Sequence, residues 1–266
     1  MFVLIKGAGD LATGVACRLK ACGFLIAMTE TAQPTTVRRT VAFSRAVYEG
    51  EATVEGVRAV LASSVPDARR IAAQGDIPIL IDPEANVLHE WEPDILVDAI
   101  IAKRNLNTHI TDAPIVIALG PGFTAGTDCH AVIETMRGHF LGKVLYQGSA
   151  LPNTGVPGEV VGFSRERIIR SPKEGIFHPL ASIGDSVKKG EPVAEVDGEP
   201  VFAALDGTIR GMLQDGAAVH TGMKSGDIDP RCKKEYCFSV SDKARSIGGG
   251  VLEAILHLSG IFSSSG

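Results

Sequence analysis

An apolar run ending in a glycine turn, further apolar runs alternating with amphipathic stretches, and a second half punctuated by glycines together predict an α/β protein. Within that class the expectation is a Rossmann-like parallel-sheet domain, then a β-rich module, then a C-terminal helix that packs back on the first domain. The boundaries fall at 1–150, 151–243 and 244–262.

The first strand is read at 2–5, a continuous apolar run of the kind buried in a parallel sheet. After the turn Lys6-Gly7-Ala8-Gly9-Asp10-Leu11-Ala12, residues Leu11, Val15, Leu19 and Cys22 form one helical stripe, and Gly23 sits where a helix would stop. A second strand at 24–28 runs into Thr29-Glu30, which completes a strand–helix–strand unit. Further along, 66–73 reads as a helix stopped by Gly75. The runs 77–81, 95–101 and 114–119 read as strands, and 41–59 as short strands around Glu49-Gly50-Glu51. Alternating strands and helices imply a parallel sheet covered on both faces.

Beyond about Leu151 helical periodicity vanishes and short apolar runs alternate with glycine turns. Two half-repeats, 182–193 and 213–222, are similar to those of biotinyl/lipoyl-type domains and imply a barrel-sandwich-hybrid-like module. Such domains present a lysine at a hairpin tip. The corresponding tip here, Val196-Asp197-Gly198-Glu199, has none, so carrier chemistry is not expected. The apolar stretch 251–258 reads as the returning helix, with Ser263-Ser264-Ser265-Gly266 frayed beyond it.

Composition narrows the function. A formal charge of −5 argues against nucleic acid, which needs a basic face, and the N-terminal apolar run is too short for a membrane span or a signal peptide. Five scattered cysteines fit a reducing cytoplasm better than a disulfide framework. The cluster Arg165, Arg167, Arg170 and Lys173 reads as a solvated face. No G-x-S-x-G, H-E-x-x-H or P-loop lysine is present, so the sequence itself offers no hydrolase, metalloprotease or NTPase motif.

Two glycine-rich turns carry the candidate sites. Gly7-x-Gly9-x-x-Ala12 matches the dinucleotide fingerprint between a strand and a helix. Gly7 permits the turn, Gly9 admits a pyrophosphate, and Ala12 keeps the helix close, while Asp10 sets a negative charge against that phosphate. Glu30, 21 residues beyond Gly9, stands where a ribose hydroxyl is accepted. A turn that has lost its ligand is the alternative. The second loop, Gly120-Pro121-Gly122-Phe123-Thr124-Ala125-Gly126-Thr127-Asp128-Cys129-His130, is expected to lead into a helix at 131–136. Gly120, Gly122, Thr124, Gly126 and Thr127 would then offer amides to a phosphate. Cys129 at the helix start would be a reactive thiol, with Asp128 and His130 as candidate catalytic neighbours, or Cys129 and His130 would simply be packing residues. A third stretch, 223–231, sets Asp227 and Asp229 beside Arg231 as a salt-bridged turn or part of a ligand site. Cys232 and Cys237 give only a weak metal signal, and no metal site is expected.

Several stretches together resemble one family, the accessory or maturation proteins of selenium-dependent molybdenum hydroxylases. They are Lys6–Ala12, Met28-Thr29-Glu30 with Gln33-Pro34 and Val37-Arg38-Arg39, Gly120–Thr135, Asn153-Thr154-Gly155, Gly226–Arg231 and Ala244–Ala254. The N-terminal part also resembles the Rossmann half of xanthine dehydrogenase accessory proteins. The resemblance implies a cytoplasmic accessory protein that binds a molybdopterin-type cofactor or NAD(P) and assists insertion, sulfuration or selenation. Its partner would be a client molybdenum hydroxylase, its cofactor a small molecule, and homo-oligomerisation is left open. Two rivals accompany it: an NAD(P)-dependent oxidoreductase on a small substrate, and a non-catalytic scaffold that docks the client.

Overall fold

Strands and helices alternate along the first half because apolar runs of strand length are separated by capped, amphipathic segments. β1 (Phe2–Lys6) is followed by α1 (Asp10–Ala21) and β2 (Leu25–Glu30). Then come α2 (Ala46–Glu49), β3 (Glu51–Val54), β4 (Val57–Ala62) and α3 (Val65–Ala73). Ser64 caps α3 by accepting the Asp67 N–H, and Pro66 sits in its first turn, where a missing N–H costs nothing. Next are β5 (Ile77–Ile81), β6 (Ile95–Asp98), β7 (Ile115–Leu119), β8 (Ala131–Ile133) and β9 (Val144–Leu145).

The computed structural model describes residues 1–156 and 158–261; the expected frayed tail at 263–266, and the end of the 244–262 segment, lie outside the described residues. The chain divides into two units. One holds Met1–Ala32, Phe43–Thr154 and the chain from Val240 on, and the other holds Gln33–Ala42 and Gly155–Ser239. Residues 33–42 thus cluster with the second half of the chain.

The first unit is built on one nine-stranded sheet in the order β3-β4-β5-β2-β1-β6-β7-β8-β9. Neighbours from β4 through β8 run parallel, but the β3/β4 and β8/β9 pairs are antiparallel. This corrects the expected Rossmann-like parallel sheet: the sheet is mixed, with a reversed strand at each edge. At one edge the cause is local. Only Glu55 and Gly56, both at positive φ (49° and 81°), join β3 to β4, and so short a link can connect only antiparallel strands. At the other edge, Ala131-Val132-Ile133 is a fully buried strand where a helix was expected. A short apolar run is ambiguous between the two states, and pairing with β7 decides it.

Side-chain alternation gives the sheet two apolar faces. On one, Phe2, Leu4, Leu80, Leu96, Val116 and Val132 pack with Ala68, Ile71 and Ala72 of α3, and Phe2 stacks on Trp91 at 4.4 Å. On the other lies α4 (Asp242–Leu258), capped by Ser241, with its Gly250 against Ile133. α4 crosses α1 at small residues: a Cβ on Gly14 would stand 2.6 Å from the Ala244 Cβ.

The second unit consists of β10 (Ile168–Arg170), β11 (Gly175–Pro179), β12 (Ser186–Val187), β13 (Pro192–Val196), β14 (Glu199–Phe202), β15 (Gly207–Met212), β16 (Ala217–Val219) and β17 (Lys224–Asp229). They form two four-stranded antiparallel sheets, β10-β17-β15-β12 and β14-β13-β11-β16, around a core that includes Phe177, Val193, Ile209 and Ile228. This arrangement replaces the expected barrel-sandwich-hybrid-like module. The half-repeats mark two short edge strands, β12 in one sheet and β16 in the other, and the segment 33–42 is drawn in. The Val37 carbonyl accepts the Met212 N–H at 2.7 Å, and Arg39 Nε donates to the Met212 carbonyl at 3.0 Å. Among the described residues no helix is long and apolar enough to cross a membrane.

Candidate functional site

β1 lies in the middle of the large sheet, with β2 on one side and β6 on the other. The chain leaves β1 toward β2 and returns through β6, so the carboxyl ends of β1 and β6 flank a topological switch point, where open α/β sheets bind ligands. Lys6 and Asp98 end these two strands in direct register. Both are buried, at 1% and 2% exposure. Lys6 Nζ donates to Thr108 Oγ1 at 2.7 Å and to the Asn107 side-chain oxygen, while Thr108 Oγ1 donates to Asp98 Oδ2 at 2.7 Å. The direct ammonium–carboxylate distance is 3.9 Å. Burial pushes the Lys6 pKa below its ordinary value, against the pull of Asp98, Asp112, Glu84 and Asp82. Sequence reasoning missed Lys6, Asp98, Asn107 and Thr108 as site residues. The available signal was a charged residue closing an otherwise apolar strand, once in Phe-Val-Leu-Ile-Lys and once in Ile-Leu-Val-Asp.

The first glycine turn follows directly. Gly7 has φ +88°, and a Cβ there would meet the Ala99 carbonyl at 3.1 Å, so both the backbone and the space require glycine. Its N–H donates to the Thr29 carbonyl at 2.9 Å. Gly9 is the N-cap of α1, Asp10 opens the helix, and Ala12 is fully buried beneath it. Glu30 reaches across from β2. Its Oε2 accepts the Ala8 N–H at 2.9 Å and its Oε1 accepts the Thr31 N–H at 2.8 Å. Behind the turn, Thr13 Oγ1 donates to the Ala8 carbonyl and accepts the Phe43 N–H, and the Ser44 N–H donates to the same carbonyl at 2.8 Å. Tyr48 stands close enough for Glu30 to help raise its pKa, after partial burial. Gly7, Gly9, Asp10, Ala12 and Glu30 therefore come together.

In the second loop most of the donors expected to meet a phosphate bond within the chain. The Gly120 N–H donates to the Ile133 carbonyl, Gly126 to Cys129, and Thr127 and Asp128 to the Thr124 carbonyl. The Thr124 N–H donates to Asp128 Oδ2 at 2.7 Å, and the Thr124 hydroxyl meets Ser149 Oγ. Gly122 packs on the Arg104 backbone. The amides of Gly120, Thr124, Gly126 and Thr127 are thus engaged within the chain and are not free to grip an anion as expected.

The expected reactive thiol is corrected too. Cys129 precedes a strand, not a helix, and is 0% exposed in the apolar core. Burial, then the Asp128 charge, pushes its pKa up to about 12, which leaves almost no thiolate at neutral pH. His130 Nδ1 accepts the Val116 N–H at 3.0 Å, and Asp128 closes the loop through Thr124. All three are engaged in holding local structure.

Elsewhere, the five cysteines are all unpaired, and Cys237 is buried with its pKa raised. Among the described residues no three His, Cys, Asp or Glu side chains are grouped to hold a metal ion. Asp227, Asp229 and Arg231 do form ion pairs, and Arg167, expected on a solvated face, is buried against Asp227.

Comparison with known proteins adds the following. No family model matches the chain. A protein of Escherichia coli strain K12 described as uncharacterized protein YqeB is 53% identical over 256 residues, which is 96% of this chain; the chain spans about half (47%) of that relative's length. Among solved structures, an aspartoacylase family protein of Mesorhizobium loti is similar with a TM-score of 0.27 and 13% identity, over 85% of this chain and 84% of that one. A succinylglutamate desuccinylase of Silicibacter sp. has a TM-score of 0.25 and 13% identity over the same shares. The relatives and neighbours found are an uncharacterized protein and acylase-type proteins, so the expected membership of the selenium-dependent molybdenum hydroxylase accessory family, with molybdoenzyme maturation and a client hydroxylase, is corrected.

Proposed function

We propose that the first unit binds a phosphorylated small molecule of the NAD(P) class at the carboxyl edge of its sheet, beside β1 and β2. The observation that carries this reading is the bond from the Ala8 N–H to Glu30 Oε2 at 2.9 Å. It holds an acidic side chain at the lip of a glycine turn that opens a 12-residue helix. Each carboxylate oxygen has a second lone pair, so Glu30 can still accept a sugar hydroxyl while bonded to the turn. The first-turn amides of α1 have no intrahelical acceptor, and together with the helix dipole they suit a phosphate. Asp10 opposes that phosphate and limits how tightly it is held. Lys6, through Thr108 and Asn107, ties the segment 105–108 to the strand ends and gives the site a rigid floor. The unpaired cysteines fit a reducing, cytoplasmic setting.

Calorimetric titration of the full chain with NAD, NADP and ADP tests the proposal. Binding of at least one, with Kd of the order of micromolar, is expected, and Glu30→Ala should weaken it by about tenfold. Absence of binding by all three up to millimolar concentration would remove the reading.

A further inference from the structure

Within the first unit, a cleft of about 320 Å³ is bounded by α1, the start of α4 and the β3–β4 turn. The helices approach closely there because the residues between them are small: Gly14 faces Ala244, and Gly248 faces the Arg18 Cβ. Glu55, in the β3–β4 turn, sits at φ +49°, a left-handed conformation that is costly for a residue with a long side chain. The side chain is what the position uses. Its Oε1 accepts the Val240 N–H at 3.0 Å and pairs with Arg245 Nη2, while its Oε2 has no hydrogen bond among the described residues. Arg18 lines the same cleft, is exposed, and forms no hydrogen bond or ion pair among the described residues. Ala21, Val57 and Val240 supply an apolar wall. Cys17 also reaches the cleft, but burial, then the Glu55 charge, pushes its pKa up to about 12, so the place offers no nucleophile.

We infer that this cleft binds a small aliphatic monocarboxylate, its carboxylate on Arg18 and its chain against Val57 and Val240. The charged lining consists of two guanidiniums and one carboxylate, and Arg245 is already engaged by Glu55. One positive charge, that of Arg18, is therefore left for a ligand. A carboxylate suits it, because its two oxygens match the guanidinium fork and its single charge balances the lining. Glu55 stands on the same cleft and disfavours a second negative charge, which argues against a dicarboxylate or a phosphate. The volume lies at the low end of small-molecule pockets and suits a compact ligand better than a nucleotide. Arg18 lies about 12 Å along α1 from Asp10, so the site is separate from the glycine turn and does not depend on the ligand proposed there.

The test is an NMR titration of the full chain with pentanoate, and in parallel with pentanol and pentylammonium, at constant ionic strength set by chloride. Saturable pentanoate binding with Kd of the order of millimolar is expected, with amide shifts centred on Ala21, Val57 and Val240. Arg18→Met keeps the apolar stem and should weaken that binding about tenfold. Arg18→Lys keeps the charge without the fork and should fall between; it also serves if Arg18→Met does not fold. Absence of pentanoate binding up to about 100 mM overturns the inference. So do equal binding of pentanol or pentylammonium, shifts centred on the glycine turn instead, and undiminished binding in the folded Arg18 variants.

Discussion

Lys6 and Asp98 end adjacent parallel strands in the same register, and Thr108 joins them by accepting from one and donating to the other. A buried ammonium and a buried carboxylate thus share one hydroxyl at the point where the sheet's connectivity reverses. The pair anchors the loop over the sheet edge, and its cost of burial makes it sensitive to loss of either partner.

Asp98→Asn leaves the Lys6 ammonium buried among neutral acceptors and should cost about 3–5 kcal/mol. Adding Lys6→Met should cost less than the two single changes summed, because the uncompensated charge is gone. Urea unfolding of the four proteins measures this. Asp98→Asn stability within about 1 kcal/mol of wild type would show that the pair is not what secures the edge.

The same lysine predicts an alkaline effect. Its folded pKa lies below the unfolded value of 10.5. Between those two values the unfolded state binds more protons, so wild-type stability should rise with pH through that window relative to Lys6→Met. Thermal unfolding of both proteins as pH approaches 10.5 checks the sign; a flat difference would refute it.

Cys129 should behave as an inert core residue. With its pKa at about 12 and no exposure, it should resist iodoacetamide at pH 8 in the native protein while the exposed Cys22 and Cys232 react. Peptide mass spectrometry before and after denaturation distinguishes them. Prompt native labelling of Cys129 would contradict its burial.

Two helical glycines should respond with opposite signs. Gly14→Ala forces a Cβ against Ala244 where α1 meets α4 and should destabilise by about 1–3 kcal/mol. A Cβ at Gly249 meets nothing within 4 Å, so Gly249→Ala should stabilise α4 by about 0.5–1 kcal/mol. Shifts of the same sign in denaturant midpoints would argue against the close α1–α4 crossing.

Asp10→Asn removes the negative charge at the start of α1 and should tighten any phosphorylated ligand at the glycine turn by a few-fold, about 0.3–1 kcal/mol. Weaker binding to this variant in the same titration would mean that Asp10 helps to hold the ligand.

The sequence by itself determined the local elements whose signals are short-range. The apolar run before Gly7, the helix after it and Glu30 at the end of the next strand are all read from neighbouring residues, and so are the helix stopped by Gly75 and the strand that follows. These depend on periodicity, caps and turns, which act within a few residues. Ala131–Ile133 was misread because a short apolar run fits a strand or a helix, and only the β7 pairing distant in sequence chose between them.

Tertiary structure alone decided the antiparallel edges, the capture of residues 33–42 by the second unit, and the meeting of Lys6 with Asp98. It also turned Cys129 from a candidate nucleophile into core. Each of these follows from which distant segments exclude water from one another. That burial sets strand order, pKa and charge balance, and no local pattern encodes it.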